Sequence, residues 1–551
     1  MTNQSINQLT NHQLLITEVT LSPFHRVTLS FLAVFLSALF AASQPTRAAA
    51  PLEVVPYEML PADVIIETVV PNANQLVAMA FTPDGRLLYT EKSGNVQVVV
   101  NNQPPITAYT FPVISGQTDE RGLLGIAVDP GFTNNHFVWV YFTKQTNALD
   151  CGGTIKNRVV RFRLEDNNTV ITDPDTAGCF PVDPFVTIHN GGNLHFGPDG
   201  ILYVTVGNND EVNQGDDPAQ DLSSPLGKIH RFIPGIPLTV PGDNPFPGSS
   251  IYARGLRNSF DFDFDPVSGA LFATENGEAC DDEINRILPG YDYGWRPFYP
   301  PPPCDDYDGA DPAFNTIQPL FFWTTSVAPT GLTFYTSDLI PEWKNDLFMC
   351  SYKDATTAIH HFKLNASRTA IVSHTILSDT ITHQPITCRT DLLTGPEGAL
   401  YYSQGGGYPQ HNGPIKRLVR RTSFQTSSVS VSPGAARAGG EVDFVLNVRH
   451  VGVISNTFAL TAQSPADTFV VSGQAAHGNL QFSNNNVWWA GTIEPGATWT
   501  ATYRLQLAAP TDPYLLTSLI QLTAPGALPI TFAPVVIVNG RSVFLPIVRR
   551  N

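Results

Sequence analysis

One histidine of the chain lies just before a pair of glycines. The segment from His189 to Gly200 reads HNGGNLHFGPDG, so Gly191 and Gly192 follow His189 closely. Imidazole is the usual general base near neutral pH, and paired glycines let the backbone or a ligand approach closely. His189 is therefore a candidate proton acceptor. The alternative is a purely structural histidine.

A second segment places a cation beside an amide. In residues 255–260 (GLRNSF), Arg257 and Asn258 are adjacent on a predicted loop. Both can donate hydrogen bonds, and a guanidinium suits carboxylate or quinone oxygens. The alternative for this pair is a salt bridge between neighbouring structural units.

A third segment is strongly acidic. Residues 275–283 (ENGEACDDE) hold five carboxylates, interrupted by Gly277, and Tyr293 follows ten residues later. Dense oxygen ligands without a neighbouring Lys or Arg are typical of calcium sites. The alternative is a solvated acidic loop.

The composition indicates what kind of protein must position these groups. Only 14% of the 551 residues are charged, 10% are aromatic, and glycine and proline number 42 and 46. Such a chain is too apolar for disorder and rich in turns. Its net charge of −17 argues against nucleic-acid binding, which needs clustered Lys and Arg.

A turn motif recurs before residue 420. A short apolar strand is followed by a turn of the Pro-Asp-Gly kind and then by Leu-Tyr or an equivalent. Proline presets φ and glycine accepts positive φ, so each copy predicts a hairpin. The spacing is typical of four-stranded propeller blades rather than a sandwich, and six copies predict six blades. The copies lie at residues 81–89, 128–132, 196–203, 264–272, 334–338 and 394–401.

The composition changes at about Thr422, beyond which there is no lysine or cysteine. Residues 441–448 alternate so that Val442, Phe444, Leu446 and Val448 share one face. Several such strands predict an immunoglobulin-like β-sandwich over 422–540, and the sequence of this region is similar to bacterial surface repeats. We interpret it as a spacer. Residues 541–551 could form a final strand or a sorting tail.

Two further features indicate export. Residues 28–42 form an uncharged apolar run followed by alanines 48–50, as in a secretory signal peptide, with an uncleaved anchor as the alternative. No other segment could span a bilayer, so we expect a secreted or cell-surface protein. Six cysteines without a C-x-x-C pair favour disulfides over zinc. The pairing that closes the least chain is Cys151–Cys179, Cys280–Cys304 and Cys350–Cys388.

With these motifs in order, the chain resembles the glucose/sorbosone dehydrogenase family, soluble PQQ-dependent sugar dehydrogenases built on six-bladed propellers. The resemblance covers about residues 70–420. The matching segments are 120–130 (ERGLLGIAVDP), 189–200, 215–220 (GDDPAQ), 226–231 (LGKIHR), 255–258 (GLRN), 282–285 (DEIN), 291–295 (YDYGW) and 328–335 (APTGLTFY).

The resemblance implies roles at matching positions. His189 would be the general base that takes the sugar C1 hydroxyl proton while hydride moves to C5 of the quinone. Arg257 and Asn258 would contact the quinone and stabilise its developing negative charge. Lys353 matches a cofactor-contacting lysine, and Glu120 lies where the family places Gln or Glu near the site.

The resemblance also implies calcium. Gly277 and Glu278 match the pair whose backbone carbonyls hold a catalytic Ca²⁺, which would polarise the quinone carbonyl as a Lewis acid. Glu283 and Tyr293 match a second, structural Ca²⁺ site.

The sequence departs from the family pattern at the arginines that bind the cofactor, here called the clamp. Members that bind PQQ usually carry Arg-x-Arg-Asp before the last turn, and those arginines pair with PQQ carboxylates. Here residues 388–391 read Cys-Arg-Thr-Asp, so Cys388 and Thr390 replace both arginines and Arg389 falls between them. In a strand that one-residue shift turns the side chain to the opposite face. Asn193, Asn276 and Glu278 also replace an Arg, a His and a Pro.

The sequence as a whole predicts an all-β protein with a signal peptide region (1–50), a six-bladed propeller (51–421), an immunoglobulin-like sandwich (422–540) and a tail (541–551). The expected function is an exported PQQ- and calcium-dependent dehydrogenase that oxidises an aldose or related sugar alcohol and passes electrons to an external acceptor. We expect no membrane span after signal cleavage, and the chain could be attached to the cell surface. The alternatives are a non-catalytic propeller that binds a glycan or protein, and a calcium-dependent hydrolase of the lactonase kind.

Overall fold

The structure is a computed structural model in which nearly all secondary structure is β. It describes residues 55–61, 63–101, 103–116, 119–147, 150–209, 218–278, 281–295, 316–406, 411–420, 427–450, 456–465, 468–508, 513–524 and 530–539. The predicted signal region and the C-terminal tail lie outside these residues.

Six consecutive sheets, here called blades one to six, are built from antiparallel four-stranded meanders. Blade one holds β3 Leu76–Phe81, β4 Leu87–Glu91, β5 Asn95–Val99 and β6 Ile106–Thr110. Blade two holds β7 Leu123–Val128, β8 Phe137–Asn147, β9 Asp150–Arg163 and β10 Asp175–Pro181. Blade three holds β11 Leu194–Phe196, β12 Leu202–Val206, β13 Lys228–Phe232 and β14 Ile251–Arg254.

The remaining blades continue this order. Blade four holds β15 Phe262–Phe264, β16 Leu271–Glu275, β17 Asp282–Ile287 and β18 Phe321–Trp323. Blade five holds β19 Pro329–Phe334, β20 Leu347–Ser351, β21 Ile359–Leu364 and β22 Ile371–Ser378, with β1 Tyr57–Met59 added in parallel to β22. Blade six holds β23 Leu392–Thr394, β24 Leu400–Ser403, β25 Gly413–Arg420 and, from the N-terminal side, β2 Val64–Ala73.

Each predicted turn joins the first and second strands of one blade. In blade one, for example, the Thr82 N–H donates to the Arg86 carbonyl at 3.0 Å, and Gly85 adopts φ +85°. Glycine accepts that left-handed conformation without strain. In blade two the turn is extended by the short helix α1 Phe132–Asn135, and in blade five by a 3₁₀ turn Pro341–Trp343.

The blades close into a ring. Strand β2 pairs with β25, so the N-terminal part of the chain completes the sixth blade. The first strand of that blade, β23, also contacts β3 of blade one. This arrangement confirms the predicted all-β six-bladed propeller, and β2 is the closing strand that the turn repeat alone could not reveal.

Buried carboxylates join neighbouring blades near the ring centre. The Asp391 carboxylate of blade six accepts the Met79 N–H of blade one. Asp261, just before β15, accepts the Leu332 N–H of blade five at 2.8 Å and contacts His195 Nε2 of blade three at 2.9 Å. In both cases a buried carboxylate accepts a backbone N–H of another blade and so satisfies it.

The C-terminal region, here residues 427–539, has sheets of its own that pack around a separate hydrophobic core. Val442, Phe444, Leu446 and Val448 are all buried in it, as the alternating pattern predicts. The strands are β26 Ser428–Ser432, β27 Ala435–Ala436, β28 Glu441–Arg449, β29 Asn456–Gln463, β30 Phe469–Ala475, β31 Gln481–Ser483, β32 Asn486–Ile493, β33 Thr498–Gln506, β34 Tyr514–Thr517, β35 Leu519–Thr523, β36 Ile530–Phe532 and β37 Val535–Val538. The immunoglobulin-like assignment stays a prediction.

Two of the predicted disulfides, Cys151–Cys179 and Cys350–Cys388, are present. The third falls on Cys280 and Cys304, which lie outside the described residues. Across the described ranges, no helix has the length and apolar character needed to cross a membrane.

Candidate active site

The inner ends of the blades surround a cavity of about 250 Å³. Every blade contributes to its wall, and the lining is mostly apolar or uncharged. Such a concave site with few polar groups is typical of small-molecule pockets. The lining residues are Val77, Ala78, Lys92, Glu120, Leu124, Gly125, Gly191, Gly192, Asn193, Asn258, Phe260, Asn276, Ala328, Thr330, Tyr352 and Thr390.

His189 lies directly before the part of the wall formed by Gly191 and Gly192. Its side chain is buried, and its Nδ1 lies 2.9 Å from Oδ1 of Asn208. Because an amide oxygen can only accept, Nδ1 carries the proton in the neutral ring and Nε2 has the lone pair. This tautomer is the one that a base acting through Nε2 requires.

The two glycines allow the wall to be this close-packed. Gly192 has φ +101°, and a Cβ built on it would lie 2.7 Å from both Leu124 Cδ1 and Tyr141 Cδ1. A larger residue would therefore displace the neighbouring side chains of blade two. Glycine at position 192 is thus required for packing as well as for access to the cavity.

Glu120 fixes the backbone of the candidate base. Its Oε2 accepts the His189 N–H at 2.7 Å, and its own N–H donates to the Thr187 carbonyl at 2.8 Å. Burial raises the pKa of Glu120, while the bond from His189 and the charge of Arg257 oppose that rise. Glu120 thus bonds the backbone of His189 and interacts with the charge of Arg257.

Arg257 and Asn258 occupy the loop before β15 and are held by Glu275. One carboxylate oxygen of Glu275 accepts both backbone N–H groups, that of Arg257 at 3.0 Å. The Arg257 guanidinium donates to the Asn276 carbonyl at 3.0 Å and lies 5.3 Å from the Trp295 ring. The Asn258 side-chain oxygen accepts the Gly191 N–H at 3.0 Å. The predicted loop residues therefore reach the same wall as His189.

Two acidic side chains of blade four face each other across the ladder. Glu275 and Glu283 are cross-strand partners on β16 and β17. Burial raises the pKa of Glu275 to about 7, against bonds from Ser259 and Asn258. Burial raises the pKa of Glu283 to about 8, against a bond from Asn285. Both carboxyls are therefore buried rather than solvated, and Glu275 supports the loop of Arg257 and Asn258.

The residues assigned to calcium by resemblance are distributed over this blade. Gly277 donates its N–H to Asp282 at 2.9 Å, and the adjacent Glu278 is exposed. The Tyr293 hydroxyl donates to the Arg286 carbonyl at 2.8 Å and accepts the Leu288 N–H. Glu283 instead contacts Asn285, so the Glu283 and Tyr293 side chains bond different residues. Among the described residues, no group of three or more His, Cys, Asp or Glu side chains could hold a metal.

One lysine was assigned to the site by resemblance, and a second lysine lines the cavity. Lys353 is exposed and is not among the residues that line the cavity. Lys92, which follows β4, is buried and does line it.

At the replaced clamp, Thr390 lines the cavity, whereas Arg389 donates to Asp354 at 2.7 Å and to the Tyr352 carbonyl at 3.1 Å. Cys388 is bonded to Cys350. Arg389 is thus committed to the loop of residues 352–354.

Sequence reasoning did not identify Lys92, Asn208 or Tyr352 as site residues. Lys92 follows the second strand of a repeat, and Tyr352 precedes the predicted Lys353. Both residues could therefore have been proposed from their positions in the repeated blades. Asn208 lies 19 residues after His189 and gave no local signal. Glu275 was in the acidic motif, but its support of Arg257 depends on the fold.

Comparisons with known proteins agree with this architecture. A sequence model of the glucose/sorbosone dehydrogenase family matches residues 73–410. An aldose sugar dehydrogenase of Escherichia coli (strain K12) is 30% identical over 362 residues, covering 62% of this chain and 90% of that protein. Quinoprotein glucose dehydrogenase B of Acinetobacter calcoaceticus is 30% identical over 250 residues, covering 42% of this chain and 52% of its own.

A solved structure extends the similarity to the fold. The PQQ-bound form of an aldose sugar dehydrogenase from Streptomyces coelicolor superposes with a TM-score of 0.51 at 25% identity, covering 65% of this chain and 99% of that one. The similarity therefore involves the propeller rather than the whole chain.

Proposed function

The chain belongs to the glucose/sorbosone dehydrogenase family, and we propose that it oxidises an aldose or a related sugar alcohol with PQQ as hydride acceptor. One observation carries the proposal. His189 lies beside a cavity lined by all six blades, with Nδ1 bonded to Asn208 so that Nε2 is the basic nitrogen.

His189 would remove the proton of the hydroxyl that is oxidised. As Nε2 takes that proton, the O–H electrons form the new C=O bond, and the C–H bond of the same carbon breaks with its electrons leaving as hydride. An aldose oxidised in this way at C1 gives a lactone. The contact of Nδ1 with Asn208 orients the ring for this transfer, and the bond that the His189 N–H donates to Glu120 fixes its backbone.

Arg257 and Asn258 would stabilise negative charge that develops beside the transferred hydride. Both are fixed by Glu275, so their donors are positioned before the reaction begins. Burial lowers the pKa of Arg257, whereas Glu275 and Glu120 counteract this, so the guanidinium is held as a cation in a region of low polarity.

The described residues fit a planar quinone cofactor. Glycines, small apolar side chains and Tyr352 line the cavity, and Lys92, Arg257 and Asn258 supply donors at or beside its wall. When bound, PQQ supplies a carbonyl carbon that accepts hydride. Our proposed calcium position is the pair Gly277 and Glu278, of which Glu278 is exposed, next to Asn276, whose carbonyl accepts a bond from Arg257.

We also propose export and transfer of the electrons to an external acceptor. The apolar run 28–42 supports export, and so do two disulfides, because disulfides persist mainly outside the reducing cytosol. For the C-terminal region we propose an immunoglobulin-like sandwich that acts as a spacer.

The test combines cofactor binding with turnover. Purified protein is titrated with PQQ in excess Ca²⁺, followed by quinone absorbance, and then screened with aldoses and an artificial electron acceptor. His189→Ala should lower kcat by about 10²- to 10⁴-fold, the range for loss of a general base, with PQQ affinity retained. The exposed His383 provides the control His383→Ala, which should leave kcat unchanged.

Two results would contradict the proposal. Absence of PQQ binding up to about 1 mM, an affinity weaker than about 4 kcal/mol, would exclude PQQ as its cofactor. Full turnover in His189→Ala would assign the proton transfer to another group.

A further inference from the structure

One disulfide joins two neighbouring blades beside the cavity. Cys350 lies in β20 of blade five, and Cys388 lies just before β23 of blade six. Both side chains are fully buried. Tyr352 and Thr390, which line the cavity, each follow one of these cysteines by two positions. The covalent bond therefore connects the two chain segments that supply these parts of the wall.

The side chains of Tyr352 and Thr390 pack against the same glycine of blade six. A Cβ built on Gly406 would lie 2.5 Å from Tyr352 Cε2 and 2.8 Å from Thr390 Cγ2. Thr390 Oγ1 also lies 2.8 Å from Ser403 Oγ. Because a close-packed interior transmits small displacements, a shift between the two segments would change the shape of the cavity here.

Noncovalent contacts also connect the two segments. Arg389 donates to the Tyr352 carbonyl at 3.1 Å and to Asp354 at 2.7 Å, but Asp354 is exposed, and a solvated ion pair contributes little. Thr330 Oγ1 lies 3.1 Å from the Cys350 carbonyl oxygen and 2.6 Å from that of Arg389, and the two carbonyls must share its single proton. The disulfide is thus the firmest of these connections.

The other described disulfide provides a matched comparison. Cys151 and Cys179 lie on β9 and β10, which are adjacent strands of blade two. The described residues that line the cavity include none from these two strands. The two disulfides span 28 and 38 residues of sequence, so they restrict the unfolded chain to a similar extent. They differ in whether they join two blades beside the cavity.

We propose that the Cys350–Cys388 disulfide positions the cavity wall of blades five and six for cofactor binding, by fixing Tyr352 and Thr390. The proposal rests on the proposed function, because it takes PQQ as the occupant of the cavity. Residue 388 stands where the family pattern has the first arginine of the clamp, and here it supplies a covalent link between blades instead of a charge. Both cysteines are positioning residues, since neither lines the cavity.

The experiment compares two double variants of the full chain. One combines Cys350→Ala with Cys388→Ala, and the control combines Cys151→Ala with Cys179→Ala. Both should lower the melting temperature to a similar extent. In excess Ca²⁺ the first should bind PQQ about 10-fold more weakly, because its wall must be ordered on binding, whereas the control should bind PQQ like wild type. At saturating PQQ, kcat of the first should stay within about twofold of wild type, since His189 lies on another blade.

Hydrogen exchange of the apoprotein gives a readout that depends on neither cofactor nor turnover. The backbone amides of Tyr352 and Thr390 are both hydrogen-bonded. Peptides that contain them should exchange faster in the first double variant than in wild type, whereas the peptide of residues 189–200 should be unchanged. Circular dichroism establishes that each variant is folded. If the double alanine variant does not fold, Cys350→Val with Cys388→Ala replaces it, because valine fills part of the space.

The outcomes separate this inference from the proposed function. Tight PQQ binding by wild type that is unchanged in the first double variant overturns the positioning role alone. Equal weakening of PQQ binding in both double variants also overturns it, because the loss would then follow stability. Unchanged exchange at Tyr352 and Thr390 overturns it as well. Failure of wild type to bind PQQ up to about 1 mM overturns both proposals.

Discussion

Two aspartate–arginine pairs of similar geometry occur in different regions of the molecule. In the propeller, Arg368 donates through Nε and Nη2 to Asp265, at 2.8–3.1 Å, and both side chains are buried. In the C-terminal region, Arg504 donates through Nε and Nη2 to Asp443 at 2.6 and 2.9 Å, and both are exposed. The same kind of ion pair is thus buried between blades in one region and lies on the surface in the other.

The contrast extends to the rest of both regions. The propeller buries charged residues within the site and between blades, for example Lys92, Arg121, Asp261 and Glu275. Among the described residues of the C-terminal region, no Lys, Arg, Asp or Glu is buried. Because burying a charge is unfavourable unless it is paired, the region that holds the site depends on ion pairs and hydrogen bonds between buried groups, and the other depends on apolar packing.

The largest expected effect is therefore on the buried pair. Asp265→Ala should lower the free energy of unfolding by about 3–5 kcal/mol, because it leaves Arg368 buried without its carboxylate partner. Asp443→Ala should cost at most about 1 kcal/mol, since its pair is solvated. Calorimetry of both variants in the same buffer tests this difference. Equal losses would show that exposure does not distinguish the two pairs.

A smaller effect is expected where β1 joins blade five. His361 is buried and contacts Glu58 of β1 at 2.7 Å and Asp346 at 3.0 Å. Burial acts to raise the pKa of Glu58, but the bond and charge of His361 lower it to about 2. Burial acts to lower the pKa of His361, but Asp346 and Glu58 raise it overall. Glu58→Gln should cost about 2 kcal/mol.

The pH dependence of this cost follows from the two directions. The contribution of Glu58 to the free energy of unfolding is complete above its unfolded pKa of 4.5 and is lost as the pH falls towards 2. The His361 contribution is complete below the unfolded pKa of 6.5 and is lost as the pH rises through its higher folded value. The difference in stability between wild type and Glu58→Gln should thus be greatest between about pH 4.5 and 6.5. A difference that stays constant from pH 3 to pH 9 would contradict the ion-pair account.

Local patterns in the sequence were sufficient for the propeller but not for its closure. The turn repeat predicts the first hairpin of every blade because proline and glycine act on the backbone next to them. Strand β2 pairs with β25 about 350 residues away, as between Glu67 and Arg417, and no local pattern encodes that pairing. The two described disulfides were predictable because each closes a short loop.

The candidate site divides in the same way. His189, Arg257 and Asn258 could be identified because each lies in a short motif whose residue types are informative on their own. The contacts that Glu120 and Asn258 make with the backbone of residues 189–191 could not be predicted, since they join segments of different blades. Residues whose roles depend on contacts between distant blades require the structure.

The smallest effect is expected inside the C-terminal core. Phe444 of β28 stacks on Tyr503 of β33, with ring centroids 4.9 Å apart and planes at 4°. Phe444→Leu keeps an apolar side chain but removes the aromatic pair, so it should cost about 1 kcal/mol. In calorimetry only the transition of the C-terminal region should shift, and the proposed PQQ binding and sugar oxidation should be the same as in wild type. A change in PQQ affinity would show that the C-terminal region supports the site. We do not expect this, because that region has none of the buried charged residues that support the site in the propeller.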